Sequence, residues 1–143
     1  GALVSGTDAG LSYNNFPLMG SGFLPPALTS EDAFNLKILL NDQGFLQFLH
    51  RILATTTLLY VLYTIAMAKK DNIFAGFINI FYLLIFAIIF QYVLGVVILK
   101  LYVPMLLGLM HQLGSLFVLS LIIISLCEVR GMLGQKFVPT FKD

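Results

Sequence analysis

Charge is scarce in this sequence: acidic and basic side chains make up 10% of its 143 residues, gathered in short groups between long apolar runs. A soluble amphipathic helix would spread such residues along one face, so scarcity and grouping together exclude an ordinary water-soluble globule. A net charge of +1 and the lack of any Lys/Arg-rich run exclude nucleic acid as a partner. Cysteine occurs once, as Cys127, which excludes an internal disulfide; in its apolar setting it reads as a space-filling side chain. An initiator Met is missing, and the first residues have neither the basic start nor the long apolar stretch of a signal peptide. This reads as a fragment or a processed product. No internal repeat and no heptad pattern runs through the apolar stretches.

What is present is apolar. A hydrophobic share of 59% and a mean hydropathy of +0.94 make the bilayer the solvent to reason with. Residues 1–44 are mixed and turn-rich, as in "YNNFPLMGSGFLPP", and form a long loop. Within it, Thr29 and Ser30 before Glu31 and Asp32 give a helix-start signature, and "AFNLKILL" supplies a short apolar face suited to an interfacial helix. Three apolar runs follow, about Phe45 to Ala68, Ile73 to about Leu99, and Pro104 to Cys127. Each exceeds the roughly 20 residues that cross about 30 Å of hydrocarbon. Pro104 suits the first turn of the third helix, where its missing N–H costs nothing. The expectation is an all-α membrane protein: an outer loop over 1–44, a three-helix transmembrane region over 45–130, and a tail over 131–143.

Orientation follows from the basic residues. Lys69, Lys70, Arg130, Lys136 and Lys142 lie on one side against Lys37 and Lys100 on the other. The first side is therefore expected in the cytoplasm or matrix, with the long loop outside.

At about 1.5 Å of rise per residue, His50 and His111 both fall roughly 8 to 10 Å below the outer edge, each in a helix that enters from outside. The middle span runs the other way, which brings Gln91 and Tyr92 to the same depth. With Gln47, Arg51 and Gln112 these residues form one polar layer above inner halves of Leu, Ile, Val and Phe. Polar groups at this depth cost several kcal/mol without partners, so the layer implies a shared site. Gly108 and Ser115 share the helical face of His111, and Ala54 and Thr57 share that of His50, leaving space beside both imidazoles. Two histidines at one depth on different helices can supply both axial nitrogens of a haem iron, with Arg51 placed to pair with a propionate. No CxxCH is present for thioether attachment. The same residues also suit plain hydrogen bonding between helices, and the glutamines suit interhelical contacts. Zinc lacks a third ligand in the layer. Tyr92 suits an interface belt, and Asp8 in "SGTDAG" suits either a cap over the site or a solvated turn.

The segments "GALVSGTDAGLSYNNFPLMG", "QFLHR" and "LGVVILKLYVPMLLGLMHQLGS", in this order, resemble the C-terminal half of the haem A synthases. The resemblance covers about residues 1 to 130. It implies a membrane oxidoreductase that converts haem O to haem A, a methyl group becoming a formyl, for cytochrome oxidase assembly. It also implies eight transmembrane helices in two similar four-helix halves, each half able to ligate haem through a histidine pair. On this chain His50 and His111 match the ligands of the second half, which would hold a haem b, and Gly1 to about Val4 would end that half's first helix. The catalytic carboxylate and the haem O site are implied to lie in the N-terminal half, so this chain alone is expected to be inactive. Implied partners are haem O, an external electron donor, the N-terminal half, membrane lipid, and haem O synthase or oxidase assembly factors. The implied location is the bacterial cytoplasmic or mitochondrial inner membrane. Leu49 stands where the family commonly has Asn or Asp, and "LLNDQG" replaces its usual Phe-Glu-Asn segment. Spacing and depth equally suit a bis-histidine cytochrome b of a membrane electron-transfer complex; the "GTDAGLSYNNFPLM" loop argues for the synthase.

Overall fold

In the computed structural model, residues 1–30, 35–70 and 78–136 are described, and apart from an isolated bridge between Met19 and Gly22 their regular structure is helical. A short α1 (Ala2–Gly6), 3-10 turns at Ala9–Leu11 and Pro26–Leu28 and a single turn α2 (Leu36–Leu39) precede three long helices. These are α3 (Gln43–Lys70), α4 (Ile78–Lys100) and α5 (Met105–Lys136), and each is long and apolar enough to cross a membrane. The chain is an all-α, multi-pass integral membrane protein.

Local chemistry explains most helix ends. The α3 helix starts at Gln43, two residues before its apolar run, because Asp42 Oδ1 accepts a hydrogen bond from the Phe45 N–H at 2.6 Å. The α5 helix continues past Cys127, where its apolar run ends, to Lys136: leaving hydrocarbon does not break a helix whose own hydrogen bonds continue. The expected start of the second span at Ile73 lies outside the described residues, as do Glu31 and Asp32 of the helix-start signature and Lys142. Thr29 and Ser30 hydroxyls turn backward to the carbonyls of Pro26 and Ala27, closing the preceding 3-10 turn.

The helices divide by depth. Val61 and Ile65 of α3, Phe81, Leu84, Ala87 and Ile88 of α4, and Leu121 of α5 form the buried apolar core in the half away from the loop. Outward faces such as Leu59, Phe86 and Leu106 stay exposed, as lipid-facing surfaces do. Several serine and threonine hydroxyls within the spans bond back to their own helix, as Ser125 does to Leu121 O, which satisfies them without water. At the end away from the loop Lys69 Nζ donates to Tyr82 Oη at 2.9 Å and lies over its ring. The main packing is α4 against α5 and α3 against α4, which makes α4 the central helix.

A tight turn joins α4 to α5. The Val103 N–H bonds to Ile98 O and the Tyr102 N–H to Leu99 O, a Schellman-type end in which Tyr102 occupies the left-handed position (φ 59°) that glycine usually fills. Val103 is left-handed too (φ 55°), and a β-branched residue is strained there. Because Tyr102 is 71% exposed, little packing depends on its ring. Tyr102→Gly should therefore stabilise the protein by about 1 kcal/mol, the cost of one left-handed L-residue. A thermal melt in detergent checks this; an unchanged or lower midpoint contradicts it.

Candidate functional site

The loop before α3 is fastened onto the neighbouring ends of the helices by side chains of the polar layer. Gln47 is 2% exposed, and its Nε2 donates to the carbonyls of Gly10 and Tyr13, both at 3.1 Å. Arg51, one turn deeper, donates from its two terminal nitrogens to Leu18 O at 3.1 Å and Tyr13 O at 2.8 Å, with its guanidinium 5.9 Å from the centre of the Phe16 ring. Arg51 Nε is buried without a partner. Asn14 donates to Leu99 O at the end of α4, and Gln112 of α5 donates to Ser5 of α1. Thus loop carbonyls, which water would otherwise satisfy, are held by amide and guanidinium donors rising from the spans.

Between these clamps α3 and α5 bring two imidazoles together. The rings of His50 and His111 lie edge to face, with centroids 6.4 Å apart and planes at 80°. Neither ring has a hydrogen-bond partner among the described residues, and His111 Nδ1 is fully buried without one. The alternative of plain hydrogen bonding between helices has no counterpart at either imidazole among the described residues. No group of three or more His, Cys, Asp or Glu side chains is gathered among the described residues, so the imidazoles stand as a pair.

Glycines shape the space around His111. A Cβ at Gly95 of α4 would lie 3.0 Å from His111 Cε1 and 3.5 Å from its Nε2, so the imidazole rests directly on α4 backbone. A Cβ at Gly108 would meet nothing within 4 Å. Gln91, one turn before Gly95, donates through Nε2 to the carbonyl oxygen of His111, and its Oε1 occupies the space that a side chain at Gly114 would need. Gln91 is thus an interhelical link, as its position suggested. Tyr92 does more than line an interface: its hydroxyl bonds to Thr55 at 3.0 Å, joining α4 to α3, and its ring meets Phe16 edge to face. A cleft of about 440 Å³ opens beside this contact, lined by Phe16, Phe48, Arg51, Ile52, Thr55 and Tyr92 among others.

Comparison with known proteins identifies the architecture. The family model described as cytochrome oxidase assembly protein, COX15-CtaA, matches residues 1–123. The chain belongs to this haem A synthase family. Haem A synthases of Rickettsia felis and Rickettsia akari are each 38% identical to it over 86% of this chain, and that of the Wolbachia endosymbiont of Brugia malayi is 35% identical over 91%. The chain spans 36% of the length of these curated relatives. No solved structure matches it.

Within this haem A synthase family member, depth counting brings His50, His111, Gln91 and Tyr92 into one layer, and the structure places Gln47 and Arg51 at its loop side. Gly95 and Gly114 were missed; both sit in the "LGVVILKLYVPMLLGLMHQLGS" segment, yet nothing in spacing alone pairs Gly95 with His111. Removing the Gln47 clamp should release the loop. Gln47→Leu keeps the buried volume but strands the Gly10 carbonyl, while Tyr13 O keeps its bond from Arg51, at a cost of about 1–3 kcal/mol. Faster proteolysis between Tyr13 and Met19 in membranes is the expected result; parent-like rates would show that other contacts hold the loop.

Proposed function

We propose that this chain forms the cofactor-holding part of a haem A synthase, with His50 and His111 as the axial ligands of one haem b. The observation that carries the proposal is the imidazole pair, brought from separate helices to 6.4 Å and left without hydrogen-bond partners among the described residues. Two imidazoles from different helices supply the kind of nitrogen donors that would hold a haem iron. The open space at Gly108, one turn from His111, gives a planar group room on that side of α5. A bound haem supplies one-electron iron chemistry.

The protein's own residues do the rest. His50 and His111 hold the group, and the apolar core below them excludes water from its inner side. Gln47 and Arg51 keep the outer loop closed above it. Arg51 retains its unpartnered Nε and one further N–H on each terminal nitrogen for an anionic group such as a propionate. The basic inner ends of α3 and α5 support an orientation with the loop outside. In this reading haem O is converted to haem A with electrons supplied externally, and the reacting carboxylate belongs to sequence that the relatives have beyond the matched third.

The test is the absorption spectrum of the protein purified from its native membrane in mild detergent. A Soret band is expected, reduced by at least tenfold per protein in His50→Ala and in His111→Ala. Bands that persist unchanged in both variants would sink the ligand assignment, and haem retained without haem A formation would favour a plain b-type cytochrome.

A further inference from the structure

The α4–α5 interface crosses the site through two side chains and two glycines that fit one another reciprocally. Gln91 of α4 enters the notch at Gly114 of α5, while His111 of α5 rests on the notch at Gly95 of α4. Along each helix the side chain and its glycine are a turn apart, Gln91 with Gly95 and His111 with Gly114, so the two contacts stack on one line of the interface. The Gln91 amide is bonded to the peptide oxygen of His111 itself. A helical carbonyl has a second lone pair free for such a donor.

We propose that Gln91 positions His111: by filling the Gly114 notch and bonding to the His111 peptide it fixes the height and rotation of α5, and hence the plane of the imidazole over Gly95. This rests on His111 being a haem ligand. The physical ground is that apolar side chains gain little by meeting each other instead of lipid, so small-residue contacts and polar links decide the register of membrane helices. Apolar side chains such as Leu84, Ile88 and Leu121, which pack in the shared core, tolerate sliding. A slip of one residue would set Leu113 or Ser115 against Gln91 and lift the imidazole off Gly95. Gln112, the neighbouring amide, cannot substitute, because it donates outward to Ser5. A residue serving only as glue could bond anywhere along the seam; this one bonds to the residue whose ring it would orient.

The experiment uses the protein from its native membrane and four variants: Gln91→Leu, Gly114→Ala, Gln91→Ala, and Gln91→Ala with Gly114→Ala. Haem per protein is read from the Soret band, and the axial geometry from the low-spin electron paramagnetic resonance g-values and the midpoint potential. Gln91→Leu is expected to keep at least half of its haem while its g-values shift and broaden. Gly114→Ala is expected to lose haem several-fold, because its methyl group collides with Gln91, and the double variant should recover most of that loss, because shortening Gln91 removes the collision. Parent g-values and potential in Gln91→Leu, or a Gly114→Ala defect that Gln91→Ala does not relieve, would overturn the inference. A parent spectrum indifferent to His111→Ala would overturn the ligand assignment and this inference together. A His111-dependent spectrum with parent-like Gln91 and Gly114 variants would overturn this inference alone.

Discussion

Within hydrocarbon every polar group must find its partner inside the protein, and this requirement organises the outer half of the molecule. The loop brings a dense set of backbone carbonyls to the membrane surface, and the spans answer with long side-chain donors: Gln47, Arg51 and, from the loop toward α4, Asn14. The same requirement explains the hydroxyls bonded back into their own helices and the Thr55–Tyr92 pair. Against this background the two imidazoles stand out. They sit in a layer where Gln91, Gln112, Thr55 and Tyr92 are engaged, whereas neither ring, like Gln47 Oε1 and Arg51 Nε, has a hydrogen-bond partner among the described residues.

The central position of α4 separates two tasks. Its inner half packs large apolar residues, Phe81, Leu84 and Ile88, into a core whose stability comes from filled volume. Its loop-side half offers Gln91, Tyr92 and Gly95, three positions about one turn apart at most that address α5, α3 and the imidazole in turn. A single helix thus sets the positions of both histidine-bearing neighbours, although those neighbours make little direct packing with each other.

Much of this was legible in the sequence because membrane depth is one-dimensional. Counting residues from the edge of each apolar run, with the middle run reversed, suffices to put His50, His111, Gln91 and Tyr92 in one layer. Rotation is harder. Which side of α4 faces His111 depends on small differences in packing among similar apolar side chains, so Gly95 and Gly114 read as ordinary membrane glycines. Helix ends were legible only where the apolar run marks them: Asp42 starts α3 earlier through a local cap, and the polar turns after Cys127 remain helical. Thr29 and Ser30 resembled a helix start because a hydroxyl that can cap forward can also bond backward. Tyr102 gave no stop signal, since the left-handed end of α4 lacks the glycine by which such ends are usually read.

The contact between Val103 and Gly10 has a consequence for divergence. A Cβ at Gly10 would approach Val103 Cγ2 to 3.1 Å, so loop and turn meet at van der Waals distance across more than ninety positions of chain. Neither residue is free to drift by itself: a larger side chain at position 10 demands a smaller one at 103. Lineages of this fold should therefore exchange bulk between these two positions in step, a paired record of how the loop has stayed seated on the helices.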